Sequence, residues 1–399
     1  MFIYNNGDKM NYVKGNSYFI NESSKQKQYN YLNENIDCDV LIIGSGVTGA
    51  LLSYYFTKEN INTVLVDKSR IGHGSTSITT SLLQYELDDI YDYLSENIDK
   101  EKIKKSYELG IEALKELSNI IKDIGNNCLY EVKDTLLYTS KKEEIKNIQN
   151  EYNFRKEFID VIYLDENQKL YDFDIKAGVL SKNKGATLNP YLFTHCLLKK
   201  SKNLRIYENT EVINIKGNIV YTNYNYQIKA KKIIVATGYN IKLFTNKNIG
   251  TKTITYNVVS NKVSIDNNLS KLLIKDLNDP YNYFNVIDNH IIAGGLDIPY
   301  KETNYSNKIE SKKYNILKQN IINIYKIKDI KINYKYCGVF NQTNDNLGYI
   351  GIDKQNKNKW FCLGYGANGI LFSILGSIIL KDLYLGKVNK NAKYFDFNR

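Results

Sequence analysis

Three glycines, Gly44, Gly46 and Gly49, stand in the stretch DVLIIGSGVTGALLSYYF, residues 39–56, with the spacing G-x-G-x-x-G. That spacing suits a pyrophosphate. The first glycine permits a tight turn, the second lets backbone approach the phosphates, and the third lets the following helix pack closely. The helix N-terminus then presents N–H groups and a positive dipole end to the anion. Asp67 follows eighteen residues after Gly49, at the end of the apolar run TVLVD. A carboxylate placed there accepts hydrogen bonds from ribose hydroxyls. The motif alone is weak. Set in a strand–turn–helix–strand unit, it points to an ADP-containing dinucleotide rather than to a ligand-free turn.

Three more stretches carry small residues and hydroxyls of the kind that lets backbone approach a flat ring: GHGSTSITTSLLQYE at 72–86, ATG at 236–238 and GYGANG at 364–369. With YCGVFNQTNDNLGYIG at 336–351 and SYF at 17–19, their order and spacing resemble the FAD-dependent oxidoreductases of the D-amino-acid oxidase superfamily, of the glycine-oxidase and sarcosine-oxidase type. The resemblance covers nearly the whole chain and implies bound FAD, non-covalently held. It places Gly44, Ser45, Gly46, Val47 and Thr48 at the pyrophosphate with Gly49 behind them, and Asp67 with Lys68 at the adenosine ribose. Gly74, Ser75, Thr76 and Ser77 would run along the pyrophosphate and flavin. Thr80, Leu83 and Gln84 would lie near the isoalloxazine, Val212 on the adenine side, and Thr237 and Gly238 along the ADP. Gly366, Asn368, Gly369 and Ile370 would bring a helix N-terminus to the pyrimidine ring, where it favours negative charge. Gln84, His73 and Phe340 are the side chains expected beside the reactive centre. The implied reaction is oxidation of a C–N bond in a small amine or amino acid. Hydride passes to flavin N5, the imine is hydrolysed, and oxygen or another acceptor reoxidises the flavin.

The chain departs from that pattern at the substrate. Family members of this type grip a carboxylate with arginines, which give bidentate charge-assisted bonds. Here Phe340 and Ala367 stand at two such places, and Asn285 and His290 on a strand that often carries a third. A cyclic or secondary amine without a carboxylate fits these changes, with Lys335 or a tyrosine hydroxyl as a substitute anchor. Tyr256, Tyr283 and Tyr336 are candidates for the substrate face among thirty-five tyrosines. Two further readings stay open: an FAD-binding subunit of a heteromeric amine dehydrogenase, and a flavin dehydrogenase with a non-amine substrate. An NAD dehydrogenase leaves the GSTS loop and the GYGANG turn without a role. Cys337 falls one position from a cysteine that anchors flavin covalently in some relatives, and reads as a small buried thiol. His195, on a helix with Leu192 and Leu198, reads as packing. No metal-ligand spacing is visible.

These residues need two kinds of element around them. The fold expected is α/β: a Rossmann-like FAD-binding domain of the glutathione-reductase type with an inserted, mixed, mostly antiparallel substrate sheet. Residues 1–36 read as an N-terminal extension, 37–95, 190–250 and 336–399 as the FAD-binding domain, and 96–189 and 251–335 as the substrate or cap domain. Within these, strands are expected at 39–43, 63–67, 131–139, 161–164, 232–237 and 360–363. Helices are expected at 48–59, over 86–124 with a break near Asp99, at 141–158, from Pro190, and over about 306–326. A last helix should follow GYGANG to about 385. The 399 residues, 43% of them apolar, suffice for sizeable cores, and the net charge of +11 is spread without a basic stripe. Nucleic acid is therefore not an expected partner. Five scattered cysteines, a polar N-terminus and an apolar run too short for a bilayer suggest a cytoplasmic protein. An oligomer is possible.

Overall fold

In the computed structural model, which describes residues 13–301, 307–366 and 368–399, two sheets share the work. The apolar run of the opening motif forms the strand Ile36–Ile43, in which Val40, Leu41 and Ile42 have no exposed surface. A strand apolar on both faces must be covered on both, as in a parallel sheet. Its sheet has eight strands among the described residues. Arg205–Tyr207, Thr63–Val66, Ile36–Ile43, Gln227–Val235 and Lys359–Leu363 run parallel in that order. Tyr349–Ile352 adds an antiparallel edge, and the meander Val212–Lys216 and Ile219–Thr222 hangs from Gln227–Val235. The helices Val47–Lys58 and Gly369–Tyr384 lie side by side, pinned where Thr48 Oγ1 meets Ser373 Oγ at 2.7 Å.

Among the described residues the second sheet has ten strands and is antiparallel but for one pairing, Leu272–Asp276 with Glu131–Thr139. Its order runs from Val13–Gly15 through Ile332–Gln342, Thr251–Lys262, His290–Pro299 and Asn282–Ile287 to that parallel pair. It ends in Ala177–Thr187 and the short Leu83–Gln84. The helix Asn307–Tyr325 covers one face, setting Leu317 and Ile321 against Ile254, Tyr256, Ile291 and Ala293. The opposite face is left for the site.

Local chemistry explains most boundaries. Asp99 caps the helix Lys100–Ile124, accepting from Lys102 N at 2.9 Å, so the helical pattern breaks there as the sequence suggests. Asn189 caps Pro190–Lys200 through Leu192 N at 3.0 Å, with proline in the first turn. Three details differ from the sequence reading. The helical pattern expected from residue 86 begins only at Tyr91, in the short helix Tyr91–Ser95. The helix expected over 141–158 begins as a 3₁₀ turn, Lys142–Glu144, and is α-helical over Ile145–Arg155. The strand Ala177–Thr187 was not expected, because KNK interrupts its apolar alternation. There Asn183 takes a positive φ of 55°, and Asp134 accepts from Lys182 Nζ at 2.7 Å and Asn183 N at 2.8 Å.

One buried charge cluster ties these parts together. Arg155, 1% exposed, donates to Glu151 Oε1 at 2.7 Å, to Glu86 Oε1 at 2.7 Å and to Tyr85 Oη at 3.0 Å. Tyr107 and Thr135 add hydroxyl donors to the same carboxylates at 2.8 and 2.7 Å. Removing one partner of such a cluster strands the rest away from water. Arg155→Met should therefore lower stability by about 3–5 kcal/mol, read as a shifted midpoint in denaturant unfolding.

Candidate active site

A cavity of about 600 Å³ opens where the parallel strands end against the free face of the antiparallel sheet. Its floor is the glycine turn. Gly44 has φ +107°, and a Cβ added there would stand 2.5 Å from the Ala236 carbonyl oxygen. A Cβ on Gly49 would stand 1.9 Å from the Gly44 carbonyl oxygen, so the helix can sit on the turn only without a side chain. Gly46 starts the helix with no side-chain cap. Thr76 reaches over to take Val47 N at 3.0 Å, fixing the 72–84 loop to the turn. Asp67 is aimed from both sides. Its Oδ2 accepts from Ser45 N at 2.6 Å and Ser45 Oγ at 2.9 Å, and its Oδ1 from Ser69 N at 2.8 Å.

The structure brings the sequence-expected residues to one cavity, with three set back. Gly44, Gly46, Val47, Thr48, Asp67, Lys68, Gly74, Ser75, Thr76, Thr80, Leu83, Gln84, Val212, Thr237, Gly238, Gly366, Asn368, Gly369 and Ile370 line it, as do His73 and Phe340. Ser45 and Gly49 stand behind the turn. Ser77 is turned away, its Oγ donating to Gly74 O at 3.0 Å and its carbonyl accepting from Ser17 Oγ. His73 sits on the Asp67 side of the cavity, edge-on to Tyr191 at 5.9 Å, and burial lowers its pKa, with Arg70 adding to the effect. His195 packs on the same tyrosine at 4.7 Å, and burial pulls it down to about 4.

The far wall is built by the antiparallel sheet, and here the sequence reading needs correction. Asn285 and His290 do not face the cavity. Asn285 Nδ2 donates to Thr80 O at 2.8 Å, and His290 Nδ1 lies 2.7 Å from Ser260 O beside Tyr18. Lys335 points to solvent. Of the three candidate tyrosines, Tyr283 lines the cavity, whereas Tyr256 packs on Tyr314 in the core and Tyr336 Oη donates to Thr79 O at 3.3 Å. Cys337 belongs to that core too, its thiol pushed up to about 11 by burial. Ala367 lies outside the described residues.

Several wall residues escaped the sequence reading: Thr255, Tyr281, Lys275 and Asp88 line the cavity, and Asp297 stands close behind. Thr255 Oγ1 and Tyr283 Oη are 2.6 Å apart. Lys275 Nζ donates to the Asp88 carbonyl and lies 4.9 Å from the Tyr281 ring centre. One signal was available: LLIKD places a lysine in a strand that is buried throughout. Burial raises the tyrosine hydroxyls well above their ordinary range, and it moves the Asp297 carboxyl from 3.8 to about 7.

Open space over the turn is what an elongated dinucleotide requires. Gly74 and Gly238 border the cavity with nothing within 4 Å of an added Cβ, the cap position Gly46 carries no side chain, and a second helix N-terminus enters at Asn368–Gly369. Phosphate, ribose and ring each find matching groups, so the residues present fit FAD. Such a cleft, set between a parallel nucleotide sheet and an antiparallel wall, defines a flavin-dependent oxidoreductase. The particular family follows from sequence: the family model for FAD-dependent oxidoreductases, DAO, matches residues 39–383. The chain belongs to this family, and FAD is its cofactor. A Bacillus subtilis (strain 168) protein provisionally named a Rieske 2Fe-2S iron–sulfur protein, YhfW, is 28% identical over 218 residues. That match covers 52% of this chain and 42% of the relative, so the chain spans under half of that relative's length. The gamma-glutamylputrescine oxidoreductase of Escherichia coli (strain K12) is 21% identical, with 95% of this chain and 90% of that protein covered. In architecture the chain is similar to a glycine oxidase from Geobacillus kaustophilus, with a TM-score of 0.78 at 17% identity, covering 91% of this chain and 99% of that one.

Two expectations follow. Gly46→Val sets a branched side chain toward Thr76 Oγ1, only 3.0 Å from the added Cβ, and across the phosphate approach. The purified variant should carry little flavin, measured as flavin absorbance per protein. The second concerns pH. The Asp297 carboxyl keeps its proton to a higher pH when folded than when unfolded, so its contribution to stability is lost as pH rises from about 4 to about 7. Asp297→Asn should gain on the parent protein by on the order of 2 kcal/mol between those limits, read from unfolding curves across pH.

Proposed function

We propose that this enzyme oxidises the C–N bond of a small amine or amino acid. The observation that carries the reading is the enclosed wall of Tyr281, Tyr283, Thr255 and Phe340 facing the FAD turn in a cavity of about 600 Å³. Pockets of that size hold one drug-sized molecule. FAD would take up most of this one, so the substrate must be small. The names of two comparison proteins, a glycine oxidase and a gamma-glutamylputrescine oxidoreductase, point to the same substrate class.

FAD, when bound, would supply the hydride acceptor; water would hydrolyse the oxidised C–N bond, and oxygen or another acceptor would take the two electrons from the flavin. The chain supplies position and exclusion of water. Tyr281 and Phe340 present ring surface to the substrate's carbon skeleton. The Thr255–Tyr283 hydroxyl pair, 2.6 Å apart, orients a polar group. The helix start at Asn368–Gly369, which borders the cavity, would favour negative charge on the flavin pyrimidine. Segments 37–95, 190–250 and 336–399 act as the cofactor half, and 96–189 and 251–335 bring most of the wall. A second reading, electron delivery to an acceptor other than oxygen, draws support from the relative named for an iron–sulfur cluster.

Anaerobic titration of the purified yellow protein with a panel of amines and amino acids tests the proposal. One class should bleach the flavin, and Tyr283→Phe should slow that bleaching by about tenfold, the effect of one lost hydrogen bond. Flavin that dithionite reduces but no amine does would leave the chain as a flavin-holding subunit or as a dehydrogenase for another substrate class.

A further inference from the structure

We propose that Asn257 Oδ1 accepts an N–H from the amine nitrogen of the substrate. This rests on the C–N oxidation reading and narrows its substrate class to primary and secondary amines, whose free bases keep an N–H. Tertiary amines have none to give.

Asn257 is 1% exposed and lines the cavity from the strand Thr251–Lys262. Its Nδ2 donates to Ile78 O at 3.3 Å. A carbonyl oxygen can only accept, so this bond fixes which way the amide points. Among the described residues no donor reaches its Oδ1. A buried acceptor without a partner is destabilising until a donor arrives.

Register places this oxygen where the flavin loop meets the substrate wall. Asn257 pairs with Gly294, and Gly294 with Tyr283. A Cβ added at Gly294 would stand 2.5 Å from Asn257 Oδ1 and 2.8 Å from the Thr80 methyl, and closer still to the Tyr283 ring. Amide oxygen, ring and methyl thus converge over one bare glycine. Thr255, two residues along the same face, bonds Tyr283 Oη at 2.6 Å. An acceptor beside both the flavin loop and this wall suits the nitrogen of the bond being oxidised. The competing explanation is an internal water. Asn285 Oδ1, equally unpartnered and set back from the cavity, would need one too. A water on Asn257 predicts no preference for ligands that carry an N–H.

Isosteric rings separate the two when titrated into the oxidised FAD holoenzyme, with perturbation of the flavin spectrum as the readout. The probes are the 2-methyl and 2-carboxylate forms of pyrrole, furan and thiophene. The pyrroles should bind about 10- to 100-fold more tightly, because the other rings leave a buried acceptor unpaired. Asn257→Leu should bring the pyrroles to the furan level, with furan binding and flavin content unchanged. No preference in the unaltered protein, or one that survives Asn257→Leu, would overturn the proposal. Should that variant lose flavin through its missing bond to Ile78, a crystal structure of the unaltered holoenzyme with a bound pyrrole decides. A ring nitrogen on Asn257 Oδ1 supports the proposal, and a water or a flavin atom there overturns it. Amines that reduce the flavin equally well as secondary and N-methylated tertiary forms would overturn the proposal and keep the C–N reading. A pyrrole preference through Asn257, in a protein that no amine reduces, would keep the N–H site and overturn the C–N reading instead.

Discussion

Everything in this molecule follows from the need to bring bare backbone against a phosphate. The turn between Ile43 and Val47 can do so because Gly44 adopts a conformation closed to other residues and Gly49 lets the helix rest on a carbonyl. The turn is then fixed by side chains from elsewhere: Thr76 holds Val47 N, and Asp67 holds Ser45. These bonds are internal, so the turn is ordered before any ligand arrives and little entropy is lost on binding.

The same loop that steadies the turn carries the antiparallel wall. Asn257 Nδ2 donates to Ile78 O at 3.3 Å and Asn285 Nδ2 to Thr80 O at 2.8 Å. The N-terminal Ser17 reaches the Ser77 carbonyl, so the segment before the first long strand also braces this loop. Asparagines on the sheet therefore position the flavin loop, Asn257 while also lining the cavity. Further along, Asn368 Nδ2 donates to Glu86 O at 2.6 Å, linking the last helix to the buried Arg155 cluster. Nucleotide site and substrate wall are thus joined through a chain of polar contacts, mostly buried, that a hydrophobic core alone would not specify.

The cofactor half was legible in the sequence because its signals are local. G-x-G-x-x-G, an acidic residue after the next strand and a glycine-rich turn before a helix are each read within a few residues of chain. The substrate wall was not, for a physical reason. Thr255, Lys275, Tyr283 and Phe340 come from four strands of a mostly non-local sheet and Tyr281 and Asp88 from its connections, and which face a residue takes depends on register. Strand Thr251–Lys262 alternates strictly, so Ile254, Tyr256 and Val258 enter the core while Thr255 and Asn257 face the cavity. His290, at the end of its strand, faces Tyr18 and Ser260. Lys275 was overlooked in a strand whose neighbours gave no hint of a cavity.

As proposed, FAD lies across this cleft with its ring against the Tyr283–Phe340 wall. A crystal structure of the protein with its flavin tests it most directly. The adenosine is expected at Asp67 and Val212, the pyrophosphate over Gly46 and Thr76, and the ring between Gln84 and the Asn368–Gly369 helix start. Flavin bound elsewhere, or its ring turned away from Tyr283 and Phe340, would contradict it.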